Sequence, residues 1–358
     1  MKTKVLILQN QISSYNVSTY NRIAFYFDLT LGYYTKDQSG PICDFKKIKL
    51  DTCNIKSLTF VSGLRDLCNN YDVVIIMPDM HVVSYCLLAF GKRKYKVISW
   101  SIGFRVSYEH PYTPHRKHIL PDWVFKKVLQ ACDANIFYMN KSKEFWKKSN
   151  LRMDNIFEAI NTTDVVKIEL RPELKKDFLF VGTLYKGKGL DLLLDAFNKV
   201  IKEHETETKL RIVGAGSERE TLEKYVEDNG LQDKVVFHGA IYDENEISKI
   251  FQQSLLCFSP TQAGLSVPKS MGYGVPFVTR QDAITGGEIY HITPNINGVI
   301  YESDRQLPNI MKEALQNRGR FIEMGQKAID YYYQHATINH MSQGAINAIN
   351  FVLDKNNL

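Results

Sequence analysis

The feature that most constrains the fold is a regular alternation of short apolar runs and helical patterns in the second half of the chain. The apolar runs are DFLFV, KLRIV, KVVFH, LLCFS and PFVTR, and glycine or proline borders each of them. Helical patterns such as LDLLLDAFNKVIKEH fill the intervals, at the length that a crossover between parallel strands requires. Residues 177–280 therefore predict a doubly wound parallel α/β sheet.

The first half shows a similar alternation. It predicts strands at 4–9, 71–78, 96–101 and 131–139, and helices at 18–27 and 81–94. The stretch 108–123 contains three prolines and predicts an exposed loop. We therefore expect two α/β domains, joined near RPELKKD (171–177). Ligands of such sheets bind outside the carboxyl ends of the strands.

The composition is that of a globular protein. The chain has 358 residues, of which 44% are hydrophobic and 23% charged, and no apolar run is long enough for a transmembrane helix. The N-terminal run VLIL is too short for a signal peptide and predicts a buried strand. Six cysteines without a C-x-x-C pair indicate a reduced chain, so we expect a cytoplasmic protein.

The positive charge is concentrated in the first half. Residues 1–165 hold 23 Lys and Arg against 14 Asp and Glu, whereas residues 166–358 hold 22 against 25. A basic half suits anionic lipid headgroups, a phosphorylated acceptor or nucleic acid, and ordinary lysines on a solvated face explain it equally well. No nucleic-acid-binding motif accompanies the charge, so we predict no nucleic-acid partner. The lysines around Phe145 and Trp146 leave peripheral contact with an anionic membrane open.

Two glycine-containing turns are candidates for phosphate binding. VGTLYKGKG (181–189) and VGAGS (213–217) each follow a predicted strand and precede a helix. Glycine permits close approach of the backbone to a ligand, and free N–H groups at a helix start suit a phosphate. Neither turn fits a Rossmann or P-loop fingerprint, and glycines that simply end strands give the same pattern.

A wider set of blocks carries a resemblance to a known family. LFVGTLYKGKGLDLLLDAF, LRIVGAGSERETLE, VVFHGAI, GLSVPKSMGYGVPFVT, GGE and NG follow in this order in the second half. In order and spacing they resemble the nucleotide-sugar half of family 4 GT-B glycosyltransferases, also called glycosyl transferases group 1. The resemblance is greatest to the branch with G-L-S-V-x-H-A in place of a paired-glutamate motif. The first half is similar less closely, through LQNQISSYNVSTYNRIA, VISWSIG and NTTD.

The resemblance implies GT-B architecture, with two Rossmann-like doubly wound parallel-sheet domains that face a central cleft. It implies an acceptor-binding domain over 1–165, a nucleotide-sugar-binding domain over 166–335, and a C-terminal helix over 336–358 that crosses back onto the first domain. Members of the family move a sugar from a nucleotide-diphosphate sugar to an acceptor with retention of configuration. They usually need no metal, so no metal and no cofactor are predicted besides the donor substrate.

The resemblance also implies a set of site residues. Lys188, Lys269 and Glu288 would take part in catalysis, with Glu288 on ribose or sugar hydroxyls. The residues expected to bind the donor are Gly182, Thr183, Lys186, Lys188, Gly214, Gly239, Ala240, Ile241, Gly264, Leu265, Ser266, Val267 and Arg280. Lys186, Lys188 and Arg280 would supply countercharge, because the departing nucleoside diphosphate gains negative charge.

Several positions depart from the family pattern. Thr183 stands where an arginine is common, and Thr261 and Lys269 stand where the two glutamates would be. Ile102 and Thr285 each replace a histidine. Lys269 is also unusual electrostatically, because we expect the helix after GLSVP to start there, and the start of a helix favours an anion.

Three functional hypotheses remain open. The first is an active, metal-independent hexosyltransferase that acts on a glycan or lipid-linked acceptor in surface polysaccharide biosynthesis, such as that of capsule or O-antigen, in the cytoplasm or at the inner face of the cytoplasmic membrane. The second is a catalytically silent homologue that binds a glycan or a protein partner. The third is a nucleotide-sugar epimerase on the same fold. Nucleotide binding and donor hydrolysis would separate the first two.

Overall fold

The structure is a computed structural model that describes residues 2–40, 42–104, 119–147 and 150–354. Within these residues the chain forms two compact units. The first unit contains the described residues up to Thr163 together with those from Thr337 onward, and the second unit runs from Asp164 to Ala336. The sequence places the boundaries after residues 165 and 335.

The described residues of the first unit form a seven-stranded sheet, a two-stranded hairpin and surrounding helices. The sheet has the order β3-β2-β1-β6-β7-β8-β9 and all its pairings are parallel, whereas β4 and β5 pair antiparallel. The strands are β1 (Lys4–Leu8), β2 (Asp28–Tyr33), β3 (Lys46–Lys49), β4 (Thr52–Ile55), β5 (Leu58–Val61), β6 (Val73–Ile76), β7 (Lys96–Ser101), β8 (Ala134–Phe137) and β9 (Ile156–Glu158). The helices are α1 (Val17–Tyr26), α2 (Leu64–Cys68), α3 (Val83–Leu87), α4 (Ile119–Ala131) and α5 (Asn140–Trp146).

The second unit has a six-stranded parallel sheet with the order β12-β11-β10-β13-β15-β17. The strands of the whole second unit, including the two outside this sheet, are β10 (Asp177–Val181), β11 (Leu210–Val213), β12 (Val235–Gly239), β13 (Ser254–Phe258), β14 (Gln262–Ala263), β15 (Phe277–Arg280), β16 (Ile284–Thr285) and β17 (Gly298–Tyr301). Its helices are α6 (Leu190–Glu203), α7 (Arg219–Asp228), α8 (Glu244–Gln253), α9 (Ser266–Gly272), α10 (Leu307–Gln316) and α11 (Arg318–His335). The short strands β14 and β16 pair with each other beside this sheet.

Most of the predicted strands are buried apolar runs. The central strands of the first unit, β1 and β6, are continuous apolar runs in which Val5 to Leu8 and Val73 to Ile76 are fully buried. In the second unit, Phe178 on β10 lies against Phe197 of α6 and Phe258 of β13, with ring centroids 6.2 and 5.3 Å apart. Such runs are typical of parallel sheets covered by helices, which is why the sequence pattern finds them.

Three expectations about the first half were incomplete or wrong. Strands β2 to β5 and β9 were not predicted. The sequences of β3 and β4 are polar and mostly exposed, and the buried strand β2 has no continuous apolar run, because Thr30 and Gly32 interrupt it. The helix expected over 81–94 is only the short α3. Residues 119–123 of the expected proline-rich loop belong to α4, where Pro121 lies in the first turn and is tolerated. Residues 108–118 lie outside the described part of the chain.

The last helix, α12 (Ile338–Leu353), packs within the first unit. It contacts α1 and the strands β7 to β9. Gly344 lies so close to β9 that a Cβ atom there would overlap the carbonyl group of Glu158. The first unit therefore contains both the beginning and the end of the described chain.

The lysine-rich stretch around Trp146 is mostly exposed, but Trp146 itself belongs to the core. Trp146 is buried, and its indole N–H donates to the carbonyl oxygen of Gly103 at 2.6 Å, while Phe145 is exposed. No helix in the described ranges is both long enough and apolar enough to cross a membrane. Of the two aromatic residues that suggested a membrane contact, Phe145 is therefore exposed and Trp146 is not.

Candidate functional site

The carboxyl edge of the second sheet brings together the loops that follow β10, β12, β13 and β16. The loop after β10 contains a 3₁₀ turn, Lys186–Lys188, and ends at Gly189, whose φ of 67° is in the left-handed region. Thr261, from the loop after β13, donates its hydroxyl to the carbonyl oxygen of Gly187 at 2.7 Å. A Cβ at Gly189 would be 2.9 Å from the methyl group of Thr261, so glycine is required there by both conformation and space. Thr261 thus ties two of the predicted site loops together.

The close packing of the loops after β10 and β11 explains the glycines in the second of these loops. A Cβ at Gly214 would overlap the carbonyl oxygen of Gly182, and a Cβ at Gly216 would overlap that of Leu184. The two loops therefore lie backbone against backbone. Gly214 does not need a ligand to explain it, although the sequence suggested one.

Gly264 has the opposite environment. No atom of the described residues lies within 4 Å of the position that its Cβ would take, and its backbone is not in the left-handed region. It precedes Leu265 and Ser266 at the start of α9, which are half-buried, whereas the side chain of Val267 is fully buried and faces the core. Within the described part of the chain, the space at Gly264 is therefore open to a ligand.

Lys188 is a half-buried cation at this edge. Among the described residues its ammonium forms no hydrogen bond and no ion pair, and it lies 3.6 Å from the position of a Cβ at Gly182. Burial lowers the pKa of Lys188 to about 8, and the negative charge of Glu288 opposes this shift. A lysine in this state carries its charge at neutral pH without a tight protein partner.

Glu288 is a carboxylate built into the loop after β16. It is 4% exposed, and it accepts hydrogen bonds from the Thr285 hydroxyl at 3.0 Å and the Gly286 N–H at 2.8 Å. Thr285 in turn accepts from the N–H groups of Gly287 and Ile289. Thr285 therefore orients the carboxylate, a role that its place in the sequence did not suggest.

Arg280 is positioned at the same edge but its charge is already balanced. Its guanidinium donates to Asp304 at 2.6 Å and to Asp282. The sequence reasoning missed both carboxylates; an aspartate two residues after Arg280 was the available signal. Lys186 is exposed and forms no ion pair in the described part of the chain. Of the predicted countercharges, only the two lysines of the 3₁₀ turn are left without a carboxylate partner there.

Lys269 does not start a helix, contrary to the expectation. Helix α9 begins at Ser266, so Lys269 is its fourth residue and the conflict with the helix dipole disappears. Its ammonium forms an ion pair with Glu244, the first residue of α8. Glu244 lies in the acidic run DENE after β12, a signal that the sequence reasoning did not use.

The remaining predicted residues lie on adjacent segments. Gly239 ends β12 with a φ of 73°, and Ala240 and Ile241 follow it in the loop that leads to α8. Thr183 is exposed in the loop after β10. In the first unit, Ile102 follows β7, and its carbonyl oxygen accepts a hydrogen bond from Ser142. Among the described residues, no group of three or more His, Cys, Asp or Glu side chains is placed to hold a metal ion.

The fold is shared with solved structures of GT-B glycosyltransferases. The Anabaena protein HepE in complex with UDP is 14% identical, with a TM-score of 0.71 over 98% of this chain and 100% of that one. Sucrose-phosphate synthase from Thermosynechococcus elongatus is also 14% identical, with a TM-score of 0.71 over 99% of this chain and 100% of that one. Two parallel-sheet α/β units of this kind define the GT-B fold class, as the sequence predicted.

Within this class, residues 161–335 match the family model described as glycosyl transferases group 1, which covers just under half of the chain. An uncharacterized glycosyltransferase of Haemophilus influenzae is 26% identical over 221 residues, or 60% of this chain and 59% of that protein. The poly(glycerol-phosphate) alpha-glucosyltransferase of Bacillus subtilis is 30% identical over 48% of this chain and 25% of its own length. The matches to these two relatives and to others thus span from a quarter to about three fifths of the relatives' own length.

The contrast between two glycines gives a direct test of this geometry. We expect Gly214→Ala to lower the midpoint of thermal unfolding clearly, because the new methyl group would overlap a backbone carbonyl that has no freedom to rotate away. Gly264→Ala should leave the midpoint within about 1–2 °C of the parent, because the added methyl group meets no atom of the residues that the structure describes. Differential scanning calorimetry of both variants measures this. Equal destabilisation by the two substitutions would contradict the loop geometry.

Proposed function

We propose that this chain is a glycosyltransferase that transfers a sugar from a nucleoside-diphosphate sugar bound at the carboxyl edge of the second unit. The observation that carries the proposal is Lys188, a half-buried ammonium held over Gly182 with no hydrogen bond or ion pair among the described residues. A cation in such a place is suited to a diphosphate, which supplies the missing negative charge.

The surroundings of Lys188 fit the same ligand. Open backbone at Gly264 allows a close approach, and donors fixed in place before the reaction stabilise the charge that develops on the leaving diphosphate. Glu288 adds an oriented carboxylate that suits sugar hydroxyls, and its charge helps to keep Lys188 protonated. The neighbouring structures of HepE, solved with UDP and with UDP-glucose, support UDP as the first nucleotide to test.

The finer features of the reaction are part of the proposal. In transfer with retention, the acceptor oxygen bonds to the sugar carbon on the face from which the phosphate leaves, and a departing phosphate oxygen takes the acceptor proton. No protein nucleophile or metal takes part in this scheme, so the histidine replaced by Ile102 is not indispensable. A relative named lipopolysaccharide 1,6-galactosyltransferase, 25% identical over 64% of this chain and 61% of its own length, supports a hexose donor and a glycan or lipid-linked acceptor of surface polysaccharide synthesis.

A second candidate function is a catalytically silent homologue that binds a glycan or a partner. One observation favours it: Arg280 and Lys269, two of the cations predicted for the site, are already paired with carboxylates. Such a site would hold a diphosphate less firmly. The two functions differ in whether a bound donor is turned over.

The proposal is tested by thermal unfolding with UDP-, GDP-, ADP- and CMP-linked sugars, followed by assay of donor hydrolysis. We expect one nucleotide class to raise the unfolding midpoint and its sugar to be released slowly without an acceptor, because ligand bound only to the folded state stabilises it. The Gly264→Ala variant should fold normally and lose most of the ligand-induced shift, whereas Gly319→Ala, on the open surface of α11, should keep it. No shift with any donor would refute the proposal, and a shift without hydrolysis or transfer would favour the silent homologue.

Affinity for the nucleotide should depend on pH through Lys188. Its lowered pKa means that the ammonium is charged below about pH 8 and neutral above it, so binding of the diphosphate should weaken as the pH rises through 8. We expect a loss of up to about tenfold per unit between pH 8 and 9.5. Isothermal titration calorimetry measures this, with Lys188→Met expected to bind weakly and without this pH dependence. An unchanged pH profile in Lys188→Met would contradict the assignment, and Lys186→Met, altered at an exposed lysine in the same turn, is the matched control.

A further inference from the structure

Glu244 forms the centre of a polar cluster that joins the loops after β12 and β13. One oxygen of its carboxylate is paired with the ammonium of Lys269 on α9. The other accepts a hydrogen bond from the hydroxyl of Tyr273 at 2.8 Å. Glu244 and Lys269 lie near the carboxyl edge of the sheet, in the segments that follow Gly239 and Gly264.

Glu244 is not needed to cap its own helix. Asp243 is the N-cap residue of α8, and its side chain accepts a hydrogen bond from the Glu246 N–H at 2.8 Å. A partly buried ion pair contributes little net stability, because the cost of removing both charges from water offsets their attraction. The side-chain cap of α8 is therefore supplied by Asp243, whereas Glu244, the first residue of the helix, is favoured there by the helix dipole.

The carboxylate is held in one orientation but is not closed off. The side chain of Lys269 is 17% exposed and that of Glu244 is 33% exposed, so the Glu244 side chain is only partly covered by the described residues. Tyr273 is fully buried, stacks on Phe251 with centroids 4.7 Å apart, and also accepts a hydrogen bond from the Val166 N–H at 3.3 Å. The tyrosine hydroxyl therefore cannot move without breaking this packing, and it fixes the carboxylate oxygen that it contacts.

The chemistry of this cluster suits a neutral pair of hydroxyl groups near a diphosphate. An ionised carboxylate has about four lone-pair positions, and two are used by Lys269 and Tyr273, which leaves one on each oxygen for an incoming donor. The neighbouring ammonium offsets the repulsion that an isolated carboxylate would exert on phosphates. In a nucleoside diphosphate, the two adjacent hydroxyl groups of the ribose are such a neutral pair, and each can donate to one carboxylate oxygen.

We propose that Glu244 accepts hydrogen bonds from the ribose hydroxyls of the bound nucleoside diphosphate, and that Lys269 and Tyr273 are positioning residues that hold its carboxylate. The inference rests on the proposed function, because it takes a nucleoside diphosphate as the ligand of this edge. It makes Glu244 the residue that distinguishes ribonucleotides from their 2′-deoxy analogues.

The test compares the binding of UDP and 2′-deoxy-UDP by isothermal titration calorimetry, with GDP and ADP and their deoxy forms if UDP does not bind. We expect the full chain to bind UDP about tenfold more tightly than 2′-deoxy-UDP, since one charge-assisted hydrogen bond is lost with the hydroxyl. Glu244→Met should bring this ratio close to one, and it should also weaken the binding of 2′-deoxy-UDP, because the hydrogen bond from the 3′-hydroxyl is lost as well. Tyr273→Phe removes only the positioning hydroxyl, so its ratio of UDP to 2′-deoxy-UDP affinity should fall between those of the parent and of Glu244→Met.

The controls separate the inference from folding and from the proposed function. Glu246→Gln, in the same turn of α8 but exposed, should keep the full ratio. If Glu244→Met does not fold because Lys269 is left unpaired, the double variant Glu244→Met/Lys269→Met removes both charges and should show the same ratio near one. Equal binding of UDP and 2′-deoxy-UDP by the parent, or a full ratio in the folded Glu244 variants, would overturn the inference and leave the proposed function standing. Failure of every nucleoside diphosphate to bind would instead overturn the proposed function, and this inference with it.

Discussion

The site of the second unit depends on the backbone contact between the loops that follow β10 and β11. Gly214 and Gly216 allow these loops to lie against the carbonyl groups of Gly182 and Leu184, without room for any side chain. This contact fixes the path of the loop after β10 and so the position of Lys188. Because a folded interior transmits small displacements, the glycines serve the site through packing rather than by touching a ligand themselves.

The charges at this edge fall into two groups. Arg280 and Lys269 are balanced by carboxylates of the protein, whereas Lys188 has only the more distant influence of Glu288 in the described part of the chain. A balanced cation orients its partner, and an unbalanced one attracts an anion. Of the countercharges predicted from the sequence, Arg280 is therefore paired with carboxylates, whereas Lys186 and Lys188 have no ion pair among the described residues.

The sequence predicted the parallel sheets well because β1, β6 and β10 are apolar runs that must be buried, and burial leaves a clear pattern. It missed β3 and β4, which are polar, and it placed the start of α9 at Lys269 because helix starts leave weak local signals. Side-chain partners were the least predictable part. The pairing of Lys269 with Glu244 joins residues on two helices, and no spacing rule within one element reveals it.

The central claim, that a nucleoside diphosphate binds at the carboxyl edge of the second unit, is tested most directly by hydrogen–deuterium exchange with and without UDP. The account predicts slower amide exchange in 182–189, 239–244, 264–269 and 285–288 when nucleotide is bound. It predicts unchanged exchange in 204–208, which precedes β11 at the opposite edge of the sheet. Protection confined to other segments, or no protection at a saturating nucleotide concentration, would contradict it.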